Sequence, residues 1–246
     1  MQIENAELSL VGHREDNQDR VGVAFGEHAA LVIALDGMGG HANGAKAAET
    51  ALASLTASFW QTAQPMFDPL GFLHLALGRA HDEVVALGKT LPLDQRPRAT
   101  CALCLVQEGA AYWAHVGDSR VYQIRNGEVA ARTRDHSHVE QLLREGLITE
   151  AEAHGHPMRN YVECCLGGDP ALTEMTIGRR QPLKRGDLIL TCSDGLWANL
   201  KDTEVAAPWR STASLREILA QLCARAVQAS APHSDNTSAA VLRGIV

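Results

Sequence analysis

Five aspartates stand where short apolar segments begin or end. Asp19 precedes VGVAF, Asp36 follows LVIAL, Asp118 follows YWAHV and a glycine, Asp194 follows LILTC and a serine, and Asp235 with Asn236 precedes TSAAVL. Taken singly, Asp-Gly and Asp-Asn are ordinary turn formers that need no function. Taken as a set they constrain the fold, because strand ends lie on the rim of a sheet and side chains there can converge on one cleft while the strands hold them rigid. Five unpaired carboxylates in one cleft would repel one another, and a cation of high charge is what makes such a cluster tolerable.

The rest of the chain is compatible with such a fold and excludes others. Its 246 residues, 46% hydrophobic and 21% charged, fit one globular domain spanning 1–246 and rule out disorder, collagen and a disulfide scaffold. A formal charge of -7 repels a nucleic-acid backbone. The longest apolar run, residues 29–35, is far below the roughly 18 residues of a membrane helix, and Glu4 and Glu7 sit where a signal peptide carries basic charge, so a cytoplasmic protein is expected. Six cysteines lie mostly in apolar stretches and read as reduced. Cys101 and Cys104 form a CxxC, but on a strand they point to opposite faces, which argues against a redox or zinc role.

Periodicity supplies the elements. Residues 29–35 read as a buried strand, and Tyr112, Ala114 and Val116 alternate as sheet residues do. Asn126-Gly127 predicts a tight hairpin joining RVYQIR to EVAART, since both central positions need positive φ. Ala48, Ala51, Leu52, Leu55 and Phe59 keep helical spacing, as do Leu215, Ile218, Leu219, Leu222, Cys223 and Ala226. Ser137 with Glu140, Thr149 with Glu152 and Ser214 with Glu217 form capping-box pairs, which put two short helices in the middle segment. Hairpins with a few long helices suggest an α+β fold or a layered sandwich with helices outside, rather than a parallel doubly wound sheet.

The chemistry follows from the donor atoms. All-oxygen ligands favour Mg²⁺ or Mn²⁺ over zinc or copper. Two such ions about 3.5–4 Å apart can deprotonate a water for in-line attack on a phosphate and neutralise its oxygens. A guanidinium orients the remaining phosphate oxygens bidentately, and Arg14, five residues before Asp19, is placed for it.

Arg14 to Asp19 (RxxNQD), Asp36 to His41 (DGMGGH), Gly117 to Arg120 (GDSR), Ser193 to Trp197 (SDGLW) and Asp235-Asn236 occur in the order and spacing of the metal-dependent PPM, or 2C-type, serine/threonine protein phosphatases. Over residues 14–236 the chain resembles a bacterial member of that family. The resemblance implies a central antiparallel β-sandwich flanked by α-helices on both sides. It implies hydrolysis of phosphoserine and phosphothreonine by a metal-activated water, with two Mn²⁺ or Mg²⁺ ions and a weaker third. Position by position, Asp36 resembles the aspartate bridging both ions, with the Gly37 carbonyl on one of them. Asp194 and Asp235 resemble ligands of the other, Asp19 a holder of metal-bound water, and Asp118, with Asp194, a ligand of the looser third ion. Arg14 matches the phosphate-binding arginine, and Asn236 is placed to orient phosphate or water.

Two positions depart from the family pattern. Gln18 replaces a glutamate of many relatives, removing a negative charge beside the site. Met38 stands where eukaryotic relatives place a histidine that protonates the leaving alcohol, which leaves His41 as a candidate acid against an equal reading as a local helix-start residue, with metal-bound water as the other candidate acid. Residues 135–160 resemble the flap of bacterial relatives, with His136, His138, His154 and His156 read as surface histidines on a solvated segment rather than zinc ligands. The expected partners are phosphoproteins of a cognate Ser/Thr kinase, with the chain acting as a monomer.

Rival readings fail on single positions. Alanine at 34 and methionine at 38 deny the second aspartate of haloacid-dehalogenase-type hydrolases. The GMGGHA match to a dinucleotide fingerprint lacks a second acid-ended strand. No cysteine has an arginine six residues on, and no GNHE stretch is present. The alternative from another class is a phosphoprotein-binding module of the same fold without turnover; the retained acids oppose it.

Overall fold

Antiparallel pairing of apolar runs builds the molecule, and the computed structural model describes residues 2–38, 42–172 and 174–245. In chain order the first half runs β1 (Gln2–Leu10), β2 (Arg20–Phe25), β3 (Ala29–Leu35), β4 (Gly37–Met38), α1 (Ala42–Gln61), α2 (Pro69–Leu87), β5 (Arg98–Ala99), β6 (Cys101–Gln107) and β7 (Ala110–Val116). The second half runs β8 (Arg120–Arg125), β9 (Glu128–Arg132), α3 (His138–Arg144), α4 (Glu150–His154), β10 (Leu166–Gly167), β11 (Thr176–Ile177), β12 (Gln181–Pro182), β13 (Leu188–Cys192), α5 (Asp194–Trp197), α6 (Asp202–Ala206), α7 (Leu215–Ala229) and β14 (Thr237–Ile245).

Two sheets stack face to face. One has the order β1-β14-β13-β8-β9, the other β11-β7-β6-β3-β2, and a small sheet β10-β5-β4 adjoins. Val32, Cys104, Trp113, Val121, Ile189 and Leu242 fill the space between the sheets. The outer face of the second sheet packs under α1 and α2 through Leu31, Ile33, Leu55, Leu73, Leu77 and Leu103. The outer face of the first packs under α5, α6 and α7 through Tyr122, Leu190, Leu196, Ile218 and Leu222. The architecture is the expected α+β sandwich with helices on both sides. Cys101 and Cys104 lie in different cores, as their spacing on a strand requires, and none of the six cysteines forms a disulfide. Among the described residues no helix is long and apolar enough to cross a membrane.

Local expectations hold where the signal is local. Asn126 and Gly127 take φ of 52° and 71° and turn β8 into β9. Thr149 and Ser214 close reciprocal capping boxes with Glu152 and Glu217, whereas Ser137 only accepts the Glu140 N–H. The helix α2 was not foreseen, although Asp68 caps it by accepting from the Gly71 N–H and Pro69 starts it.

A buried ionic network joins the sheet to the start of the flap. Arg120 makes two hydrogen bonds to Asp135, of 2.8 and 2.7 Å, and its guanidinium lies 3.3 Å from the Trp197 ring centroid. The arginine of the GDSR stretch is therefore structural. Asp135→Ala takes from that buried cation its bidentate partner, leaving the Tyr122 hydroxyl at 3.0 Å and Asp202 at 3.9 Å, and a loss of about 3–5 kcal/mol in denaturant unfolding is expected. A loss under about 1 kcal/mol, the size of an exposed pair, would show the network to be dispensable.

Candidate active site at one edge of the sandwich

Strand register alone gathers the aspartates. Arg20 pairs with Leu35, so Asp19 and Asp36 leave the second sheet at the same edge. In the first sheet Cys192 pairs with both Arg120 and Ala239, which brings Asp194, Asp118 and the residues before β14 to one edge. Asp118 sits on the crossing from β7 to β8, so this is the edge shared by the two sheets. A cleft of about 630 Å³ opens there, lined by Arg14, Asp36, Gly37, Asp118, Asp194 and Asp235 among others.

Each acid is positioned by backbone and hydroxyl bonds. The Asp36 N–H donates to Thr100 Oγ1 at 3.2 Å, its carbonyl accepts from the Thr100 N–H at 2.8 Å, and Thr100 Oγ1 bonds Ser119 Oγ at 2.6 Å. That chain of contacts ties the Asp36 and Asp118 loops together. Gly117 takes φ of 91° against the Thr100 side chain, where any Cβ would collide. Gly37 is equally confined, since a Cβ would run into the carbonyls of Gly44 and Gln18. Ser193 Oγ donates to Asp19 Oδ2 at 2.6 Å and accepts from the Ser238 N–H at 3.1 Å, linking Asp19 to β14.

Burial and mutual repulsion dominate the electrostatics. Desolvation lifts the Asp19 carboxyl to about 6 despite the Ser193 bond, and lifts Asp118 to about 7, with Asp135 adding repulsion. Asp36 and Asp194 are pushed well above the carboxylate range, first by burial. Repulsion comes next, from Asp19 and then Asp194 on Asp36, and from Asp118 and then Asp235 on Asp194. Their mutual repulsion places all five acids in one field. Arg14 answers it with a 2.7 Å hydrogen bond from Nη2 to Asp235 Oδ2, which leaves its other N–H groups uncommitted to that carboxylate.

The residues fit a hard cation. Asp19 Oδ1, Asp118 Oδ1 and Asp194 Oδ1 are buried without a hydrogen-bond partner, a cost that native structures rarely leave unmet. Carboxylate and carbonyl oxygens are the donors that Mg²⁺ and Mn²⁺ prefer. Among the described residues no three acidic, histidine or cysteine side chains close a ligand shell by themselves. Asp36, Asp118, Asp194 and Asp235 thus line one cleft, Asp19 is buried, and other oxygens must share in any coordination.

Two sequence expectations change. Asn236 has both amide hydrogens committed, to the Val11 and Asp16 carbonyls at 2.8 and 2.9 Å, and its Oδ1 accepts from the Gln18 N–H at 2.8 Å. It staples the Arg14 loop and has no amide hydrogen left for phosphate. His136 is not a surface residue: it is buried, stacks on His115 at 4.5 Å, accepts from the Gly117 N–H and donates to Thr176 Oγ1. His41 and the His154 side chain lie outside the described residues. The thioether of Met38, which lines the cleft, holds no transferable proton. His13, which the sequence reading passed over, also lines the cleft, with Nδ1 2.6 Å from Ser234 Oγ. Its only sequence signal was its place beside Arg14.

Comparison with known proteins agrees with this fold. A family model described as protein phosphatase 2C matches residues 11–234. The chain is 33% identical over 192 residues to the serine/threonine protein phosphatase PstP of Mycobacterium tuberculosis, covering 78% of this chain and 36% of that one. It thus spans about a third of the length of that curated relative. A Streptococcus agalactiae serine/threonine phosphatase structure superposes with a TM-score of 0.89 at 26% identity, covering 98% and 99% of the two chains. The catalytic domain of PstP, solved in complex with two manganese ions, superposes with a TM-score of 0.81 at 28% identity over 98% and 97%.

Proposed function

The chain belongs to the protein phosphatase 2C family, and from that premise we propose that its edge cleft hydrolyses phosphoserine and phosphothreonine in proteins with the help of Mn²⁺ or Mg²⁺. The observation that carries the reading is the group of buried, partnerless carboxylate oxygens beside one guanidinium.

Asp36 with the Gly37 carbonyl, and Asp194 with Asp235, would hold two ions, Asp19 would anchor water beside them, and Asp118 with Asp194 would hold a looser third. Bound ions would supply Lewis acidity and positive charge for attack of water on a phosphate monoester. The protein's own groups do the rest. Arg14 offers its remaining N–H donors to phosphate oxygens, and Asn236 fixes the loop that carries it. Thr100 and Ser193 hold Asp36 and Asp19 so that little reorganisation is needed as charge develops. Substrates are phosphoproteins of an opposing kinase in the cytoplasm, and the domain, with residues 135–160 as its flap, acts as a monomer.

The direct test is turnover of p-nitrophenyl phosphate and of a phosphothreonine peptide with Mn²⁺ and with chelator. Turnover that needs Mn²⁺ is expected for both. Protein that binds the phosphopeptide but turns neither substrate over would instead be a binding module of this fold.

A further inference from the structure

Beside the carboxylate cleft lies a second pocket of about 490 Å³, between the flap, α5 and the turn before β14. We propose that it is a subsite for an anionic side chain next to the phosphorylated residue of the substrate, either a carboxylate or a second phosphate. The proposal rests on the phosphatase reading above.

Continuity is the first argument. The pocket shares Arg14, Asn160, Asp194 and Asp235 with the cleft, so a peptide whose phosphate meets Arg14 passes directly into it. Charge is the second. Apart from the two shared aspartates its lining holds no carboxylate, and it carries His156, Arg159, His233 and Asn199. Arg14 and Arg159 balance the two shared aspartates, so in a chain of net charge -7 this lining is locally neutral, with two imidazoles in addition.

Donor geometry is the third. The Met158 N–H donates to His156 Nδ1 at 3.1 Å, so the ring hydrogen sits on Nε2, free to donate. Arg159 Nη2 donates to the Ala198 carbonyl at 2.9 Å and lies 3.4 Å from Asn199 Oδ1, which fastens the flap end to α5 and fixes the floor. His233, also in the lining, is exposed, and its N–H donates to the Ser230 carbonyl at 2.9 Å. Two imidazole N–H donors facing a pocket without acids of its own select an anion.

The test compares phosphothreonine peptides carrying alanine, glutamate or a second phosphothreonine on either side. Wild-type protein should favour the anionic peptides about fivefold in kcat/KM, the size of a partly exposed charged contact. The preference should vanish in His156→Ala and in His156→Ala/His233→Ala, with p-nitrophenyl phosphate, which has no flanking residue, reporting the catalytic centre by itself. If only the second phosphate is favoured, the pocket reads phosphate; if glutamate suffices, it reads any anion. Equal rates on all peptides, or a preference that survives both substitutions, would overturn the subsite. Should the protein turn nothing over, the phosphatase reading fails separately, and fluorescence polarisation of the same labelled peptides decides the subsite by the same comparison.

Discussion

Asp36→Asn is expected to reduce Mn²⁺-dependent turnover roughly a thousandfold, about 4 kcal/mol at the transition state, while raising the melting temperature of the metal-free protein. The two effects share one cause. Asp36 sits in the repulsive field of Asp19, Asp194, Asp118 and Asp235, and desolvation adds to the penalty on its ionised form. Asparagine keeps the shape, and the backbone bonds to Thr100 are untouched, so the fold loses nothing by geometry. The variant lacks the negative charge that Asp36 would bring to the cations proposed for the cleft. It also lacks the carboxylate that folding must protonate or hold ionised against its neighbours. Because the folded-state pKa of Asp36 is raised, its stability contribution is present at low pH and lost as pH rises, and the gain from Asn should therefore grow with pH. Activity and melting curves on one preparation decide the matter. Near-native turnover would refute the metal role, and a lower metal-free melting temperature would mark Asp36 as a structural residue.

What the sequence made legible is what short-range rules control. Asp19, Asp36, Asp118, Asp194 and Asp235 could be placed on one rim because β2, β3, β7, β8, β13 and β14 announce themselves by apolar runs, and antiparallel register does the rest. The Asn126-Gly127 turn was readable because positive φ at two successive positions admits few residues. The misses are long-range. In α2 the buried set includes His81 while Leu75 points outward 73% exposed, which blurs the helical stripe. His136 is buried by Gly117, Thr176 and His115, partners 19 to 40 residues away that no local pattern reveals. Asn236 reads as a site residue because it adjoins Asp235, yet its three bonds to the loop more than 200 residues upstream spend its amide on positioning. Adjacency in sequence and attachment in space are different facts. The pocket beyond the cleft shows the same thing, for its His156 and His233 lie on segments joined only by the fold.

The same carboxylates make metal stabilisation depend on pH, and Mn²⁺ is expected to raise the melting temperature more at pH 8 than at pH 5.5. Burial holds Asp19 at about 6 and Asp118 at about 7, against an ordinary 3.8, and holds Asp36 and Asp194 higher than the usual range. Folded protein therefore keeps protons that the unfolded chain has released. That contribution is complete below the unfolded value and disappears as pH rises through about 6 to 7, so metal-free protein should melt lower at pH 8. A cation takes over the role of those protons: at pH 8 it meets ionised ligands, and at pH 5.5 it must displace hydrogen ions first. With Mn²⁺ at about a hundred times its dissociation constant the linkage is worth about 2.7 kcal/mol. That is a rise of roughly 5–10 °C for a domain of this size. His115 works with the opposite sign. Burial, with His136 second, lowers it to about 4, so its contribution is intact above 6.5 and is lost as pH falls toward 4. His115 acts with or without metal and cancels in the difference between the two melting curves, leaving the carboxylates as the source of any pH dependence. A rise equal at both pH values would mean that the ion binds elsewhere, and no rise at either would remove the cation from the cleft altogether.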